Sequence, residues 1–343
     1  MTTTPVLLSG APGSPYTRKM LALLRYRRIP YEMLWSDVRG GPPHLPKPKV
    51  QLLPTFYFPD GAGGVEAVVD STPIARRLER EHAGRVAIPP GAALGFLNEL
   101  IEDYADEWLT KAMFHYRWAF EEDAAHAPPL LVHWAAPSLP TDEAKTFADQ
   151  LGRRQIDRLY VVGSNAVTAA TIEQSYERLL GVLDAGLQEK EFLFGDRPAT
   201  ADFALYGQLT QLATVDPTPA RLTAQVAPRI RAWVERVDDL SGLPSDAAWD
   251  DVDAASRRLA PLLKEIGRVY APFLLANAAA AEAGAAQWSS EIDGRPWEQP
   301  TFPYQAKCLR WLKESYAALP GPDRAAVDAA LAGSGCAALF GAD

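Results

Sequence analysis

Cysteine is nearly missing from this chain. Only Cys308 and Cys336 occur in 343 residues, which gives no disulfide framework and points to a reducing compartment, the cytoplasm. Histidine is sparse too. The five copies are scattered, with no i, i+4 pair and no neighbouring cysteine, so no metal centre is expected. No long apolar run is present. The most apolar stretch, Ala271 to Ala286, is interrupted by Asn277 and Glu282, so no membrane span is expected. The opening Met-Thr-Thr-Thr-Pro has no basic region leading into an apolar one, so no signal peptide is expected. Basic charge is not in excess: the net charge of −9 argues against a nucleic-acid partner. No segment repeats.

The length suffices for two domains with separate cores, and the apolar and charged fractions are ordinary for a soluble protein. Charge is unevenly divided. Residues 1–88 carry 12 basic and 7 acidic side chains, or +5, while the rest carries 22 and 36, or −14. A basic first domain suits a small anionic ligand. A solvated helix face of Arg25, Arg27 and Arg28 accounts for much of the same excess.

The stretch from Val6 to Arg28 organises the chain. Val6 to Ser9 is a short apolar run that suits a buried strand. Gly10 to Tyr16 is a Gly/Pro loop, and Thr17 to Arg28 has the spacing of an amphipathic helix. Ser14 or Thr17 can cap that helix, with Pro15 tolerated in its first turn. A hydroxyl therefore stands at a helix N-terminus, where free N–H groups favour an anion. Ser14 is then either a cap alone or a cap beside a ligand. Ile29 to Trp35 predicts a second strand, Gly40 to Pro48 a Pro-rich loop, and Leu53 to Phe58 a third strand entered through Pro54. Pro59-Asp60-Gly61 turns the chain into a fourth, Val65 to Val69. Asp70-Ser71-Thr72-Pro73 opens a helix through Glu81.

In that order these segments resemble the thioredoxin-like domain of soluble glutathione transferases. Ser14-Pro15-Tyr16-Thr17-Arg18-Lys19 is similar to the catalytic loop of the serine and cysteine classes, Leu53-Pro54-Thr55 to the strand entry with a cis proline, and Asp70-Ser71 to the pair holding the γ-glutamyl end of glutathione. The resemblance implies Ser14 as the catalytic hydroxyl that favours thiolate over thiol. Tyr16, Leu53, Pro54, Asp70 and Ser71 would bind glutathione, the Leu53 backbone pairing with it as an extra strand. Tyr16 and Ser9 are rivals for the hydroxyl role. Asp70-Ser71 can equally be a plain helix cap.

Beyond a Pro89-Pro90-Gly91 linker the chain reads as helical. Ala92 to Phe120 is one long candidate with an aromatic later part. By its position, it resembles the helix that walls the acceptor pocket in the family, which implies Trp108, His115 and Trp118 as acceptor contacts; an aromatic run at helical spacing suits core equally. Residues 124–140, rich in Ala and Pro, read as a loop that is either a lid or a surface connection. Thr141 to Leu159 and Ala170 to Glu189 predict helices. Glu191 to Gly207 resembles the buried capping motif of the family's central helix, with Asp202 as the cap acid. Ala199 stands where the family has Ser or Thr, and Thr200 is an alternative cap. Ala227 to Leu240 gives one more helix.

The last hundred residues exceed the family's usual length. Ala254 to Gln287 predicts a long helix bent at Pro272, Asp293-Gly294 a hairpin turn, and Pro303 to Leu319 and Asp323 to Leu331 further helices. Cys308 reads as core and Cys336 as more exposed. This segment would cover the helical domain, rim the cleft or add to a dimer interface.

The expected fold is therefore α/β plus all-α: a thioredoxin-like glutathione-binding domain (1–88), an all-helical substrate domain (92–240) and a mostly helical extension packed on it (241–343). The resemblance implies a cytoplasmic homodimer with glutathione as co-substrate and no metal. It transfers the thiolate to an apolar electrophile. A glutathione-dependent lyase, dehalogenase or isomerase on the same site is an alternative, as is a non-catalytic binding protein.

Overall fold

The computed structural model describes residues 4–36, 44–244 and 246–341. The first domain opens with β1 (Val6–Gly10), α1 (Pro15–Arg27) and β2 (Tyr31–Trp35). β3 (Thr55–Pro59), β4 (Val65–Val68) and α2 (Ser71–Glu81) complete it. The sheet order is β2-β1-β3-β4, with β1–β2 parallel and β1–β3–β4 antiparallel. This is the βαβ-ββα unit of the thioredoxin-like fold. Leu8 and Phe56 point from the sheet into a core shared with Met20, Leu23, Leu24, Ile74 and Leu78. Of the expected Pro-rich loop, residues 40–43 lie outside the described residues.

The helices of the second domain begin with α3 (Ala92–Glu107) and α4 (Leu109–Ala119). They replace the single helix expected over Ala92 to Phe120. At the junction Lys111 N bonds Trp108 O, an i→i+3 turn that tightens the chain and redirects it. α5 (Glu121–Ala135) occupies most of the stretch expected as a loop. Pro128 and Pro129 lie inside it and cannot donate to the turn before them. Packing compensates: Pro128 is buried against Gly152 of α6 (Thr141–Ile156), where an added Cβ would come within 3.1 Å of the ring.

After α7 (Ala169–Gly186) comes the central helix α8 (Thr200–Thr210), every residue of which is buried. Asp202 caps it from within, its oxygens accepting from Leu193 N at 2.9 Å and Ala199 N at 2.8 Å. Thr200 is no cap. Its hydroxyl donates instead to Glu102 of α3 at 2.7 Å. Gly207 lets α1 approach α8 closely, since a Cβ there would lie 2.4 Å from the Pro15 carbonyl oxygen. α9 (Pro217–Val226) and α10 (Pro228–Val237) follow, with Ile230, Trp233 and Val237 buried as their spacing predicts.

In the extension, α11 (Val252–Glu265) runs through a π-helical stretch, Ile266–Tyr270, into α12 (Ala271–Glu282). The irregularity thus falls before Pro272, which sits in the first turn of α12. Gly267 explains the close packing there: a Cβ would stand 2.0 Å from the Ser334 carbonyl oxygen. The Asp293-Gly294 turn joins β5 (Gln287–Ile292) to β6 (Arg295–Pro300), then come α13 (Pro303–Ala317) and α14 (Gly321–Leu331). Both of these helices pack on α3. Cys336 is fully buried, correcting the expected exposure, because its segment is folded against α11 and its thiol meets the Leu263 carbonyl. Among the described residues no helix is long and apolar enough to cross a membrane.

The α1–α8 contact yields a test. Ala at Gly207 improves helix propensity by about 1 kcal/mol but overpacks backbone against backbone, which costs about 1–3 kcal/mol. Gly207→Ala should lower the melting temperature. An unchanged or higher value in calorimetry would contradict the close approach.

Candidate functional site

Ser14 is the N-cap of α1. Its Oγ accepts from Thr17 N at 3.2 Å and donates to the Leu53 carbonyl at 3.3 Å. The hydroxyl is half-buried, and the Leu53–Pro54 peptide bond beside it is cis. The loop before Ser14 is held from the second domain. Arg117 of α4 donates to the Gly13 carbonyl at 3.1 Å, to Asp216 at 2.9 and 3.1 Å and to Gln211 at 2.6 Å. Gln211 and Arg18 both donate to the Pro12 carbonyl, at 3.2 and 3.0 Å. Gly13 is pressed against α5, where an added Cβ would meet Leu131 at 2.1 Å and Trp134 at 3.3 Å. The segment expected as a loop therefore does reach the Ser14 turn, as a helix.

Ser71 opens α2, buried, with its N–H groups at the helix start. Below it lies Lys19, 1% exposed. Lys19 Nζ donates to Asp106 at 2.6 Å, Glu102 at 2.8 Å, Ser71 Oγ at 3.3 Å and Thr72 Oγ1 at 3.4 Å. Because the Ser71 oxygen is taken as an acceptor, its O–H remains for a ligand. Burial alone would pull the ammonium down, but the two carboxylates outweigh it and Lys19 is raised. Burial raises Glu102 in turn, yet Arg76 and Lys19 together hold it down at about 2. Asp106 shares Lys19 with no second cation among the described residues, and burial leaves it up at about 6.

Asp70 does not cap α2 with its side chain, although it precedes Ser71. It adopts φ +87°, a left-handed conformation uncommon outside glycine. Its carboxylate accepts instead from the Tyr304 hydroxyl of α13 at 2.7 Å. Tyr16 turns its hydroxyl to the Asp106 carbonyl at 2.7 Å, and burial, with Glu107 and Asp106 adding, raises that phenol well above its ordinary range. The rival hydroxyl at Ser9 lies in β1 opposite Leu34 and Thr55.

The expected acceptor residues are corrected. Trp108, His115 and Trp118 are only 2%, 3% and 3% exposed, and the polar atoms of the first two are spent inside the core. Trp108 donates to Ser175 at 2.8 Å, and His115 lies 2.8 Å from Ser164 and 3.2 Å from Glu173. Burial lowers the His115 pKa, partly offset by Glu173. The split of the helix at Trp108 rotates these rings inward and leaves Phe114 half-buried.

Lys19 and Arg117 were not singled out from the sequence. Lys19 stands four residues before Leu23 on the apolar side of α1, and Glu102 and Asp106 stand four apart on the apolar side of α3. Charges in register with core residues on two helices are the signal that could have paired them.

The family model for the glutathione S-transferase N-terminal domain matches residues 8–86, and that for the glutathione S-transferase C-terminal domain matches residues 145–236. No protein of curated function matches the chain. Among solved structures, a GST-like protein from Pseudomonas syringae is 19% identical, with TM-score 0.41 over 68% of this chain and 67% of that one. A glutathione transferase family member from Pseudomonas fluorescens, with two glutathione bound, is 16% identical, with TM-score 0.42 over 67% and 87%. Poplar glutathione transferase F1 is 17% identical, with TM-score 0.41 over 70% and 95%.

Two more acids of α3 set a pH dependence. Burial pushes Asp103 to about 7, with Asp106 and Glu99 adding to it against the Tyr270 hydrogen bond. Burial pushes Glu107 to about 8, with Asp103 and Asp106 adding. The folded chain holds these protons where the unfolded chain has released them. Their stabilisation is full below the ordinary carboxylate range and is lost as pH rises through about 7 to 8. Glu102 acts oppositely and loses its contribution as pH falls from 4.5 toward about 2. The melting temperature should therefore decline from about pH 5 to pH 8. Asp103→Asn should flatten that decline, and an equally steep decline in the variant would contradict the assignment.

Proposed function

The chain belongs to the glutathione S-transferase family, and from that premise we propose that it binds glutathione on its first domain and transfers it as a thiolate to an apolar electrophile. The observation that carries the reading is the Ser14 hydroxyl at the start of α1, 3.3 Å from the Leu53 carbonyl and one helix away from the Ser71 corner. The γ-glutamyl carboxylate takes the Ser71 hydroxyl and the α2 N–H groups, with Lys19 beneath holding the Ser71 oxygen. Asp70 accepts from the ammonium, and the Leu53 and Pro54 segment runs beside the cysteinyl backbone. Tyr16 contributes through its backbone and ring, since its hydroxyl is engaged elsewhere.

Ser14 then acts by hydrogen bonding. Its O–H now points at a neutral carbonyl at 3.3 Å, longer than an ordinary O–H···O bond. An arriving thiolate is a stronger acceptor and takes that proton's hydrogen bond. A free cysteinyl thiol titrates near ~8.5, and lowering it by about two units needs about 2.7 kcal/mol. A hydrogen bond to a charged group supplies roughly 1.5–3 kcal/mol and the helix terminus roughly 0.3–1 more. No additional base is needed. The thiolate attacks the electrophile directly, and the leaving group departs with its electron pair. In place of the buried rings, Leu131 and Trp134 of α5 and Phe114 of α4 are the apolar side chains offered to the acceptor. The same reading makes the protein a cytoplasmic homodimer.

Ser14→Ala should lower turnover of an electrophile panel by about 100-fold, the equivalent of roughly 2.7 kcal/mol, while glutathione still raises the melting temperature. Ser71→Ala should instead shrink the thermal shift. Full turnover in Ser14→Ala would remove the hydroxyl from the chemistry. No shift at any glutathione concentration would favour a binding protein with a different ligand.

A further inference from the structure

We propose that Tyr304, supplied by the C-terminal extension, is a positioning residue of the glutathione site that fixes the Asp70 carboxylate for the ligand's ammonium group. The proposal rests on the reading of glutathione binding given above. Its carrying observation is a hydrogen bond that spans 234 positions of sequence, from the first turn of α13 to the residue that opens α2.

The contact is built from both ends. On the extension side, Asn277 of α12 is fully buried and grips the residue where β6 passes into α13. Its Oδ1 accepts from Phe302 N at 2.9 Å and its Nδ2 donates to the Phe302 carbonyl at 2.9 Å. Trp288 Nε1 also donates to that Oδ1 at 3.3 Å. One residue past Tyr304, Gln305 donates to the Glu107 carboxylate at 3.1 Å and to the Glu107 carbonyl at 3.3 Å. The Tyr304 ring stands edge-on to Trp311, with centroids 6.5 Å apart. The first turn of α13 is thereby tied to α12 behind it and α3 beside it, and the phenol has little freedom to leave Asp70.

On the other side, Asp70 has a backbone conformation that turns its side chain away from the helix it precedes. Its carboxylate makes no capping bond. Among the described residues Tyr304 is the donor it finds. A phenol donating to one carboxylate oxygen satisfies part of that group's demand for donors and fixes its plane. The other oxygen is left for a donor from outside, and an ammonium supplies a charged one. The neighbouring Ser71, whose oxygen already accepts from Lys19, keeps its O–H and the helix-start N–H groups for a negative group. The corner thus offers an acceptor and donors side by side, the pattern of an α-amino acid end, and the acceptor is held in place by the extension.

The test compares Tyr304→Phe with the native full-length chain by calorimetric titration of two ligands: glutathione and its analogue lacking the γ-glutamyl amino group. The variant should bind glutathione about tenfold more weakly and the deaminated analogue with unchanged affinity. Added to Asp70→Asn, the same change should cost nothing further. Equal weakening toward both ligands would mean that Tyr304 only supports the local fold, and would overturn the proposal. So would tighter glutathione binding in the variant, because the phenol would then be an obstacle. A native chain that binds glutathione together with a variant that binds it equally well overturns this proposal alone. A native chain that binds neither ligand overturns the glutathione reading as well.

Discussion

The buried ammonium of Lys19 is the constraint on which the two-domain arrangement depends. A charge removed from water in this way is tolerated only when it is paired and hydrogen-bonded. The partners come from both domains: Ser71 and Thr72 from α2, Glu102 and Asp106 from α3. Glu102 then draws in Arg76 and, through Thr200, the start of the central helix. Separating the domains would strand this charge set, so the first domain is not free to rotate against the second. Such a node fixes the placement of Ser71 to the same degree that it fixes the interface.

Arg117 plays the matching part on the other side of α1. Its guanidinium reaches from the helical domain to the carbonyl of Gly13, with Asp216, fully buried, balancing the charge. Ser14 thus begins a helix whose preceding turn is held by Arg117 of α4 and by Gln211, just past the end of α8, and whose own first turn rests on Gly207. The helical domain holds the backbone that aims the hydroxyl.

Much of this was legible in the sequence, and the misses have physical causes. The order of strands and helices in the first domain, a hydroxyl cap at Ser14 or Thr17 and the Asp293-Gly294 hairpin follow from local chemistry: turn residues, capping residues and period; the Asp202 cap came from the family resemblance. The failures are tertiary. Pro128 and Pro129 read as helix breakers because the sequence does not show Gly152 waiting to receive the ring. Trp108, His115 and Trp118 read as a pocket wall because the tight turn at Trp108, which rotates them inward, leaves no local mark. Lys19 and Arg117 were missed because their partners lie about 50 to 100 residues away, and for Lys19 the one mark was a charge in register with core residues. The extension carried no catalytic motif, and its contact with Asp70 emerges only when Asn277, which looked like a mere interruption of an apolar segment, is seen gripping Phe302.

These placements bear on the proposal made above, that Ser14 stands beside the sulfur of a bound tripeptide thiol and keeps it ionised. The most direct measurement is a titration of glutathione on the protein, following the ultraviolet absorbance of the thiolate as pH rises. The account predicts a bound thiol that titrates about two units below the ~8.5 of a free cysteinyl thiol. A bound thiol that titrates at the free value would contradict it.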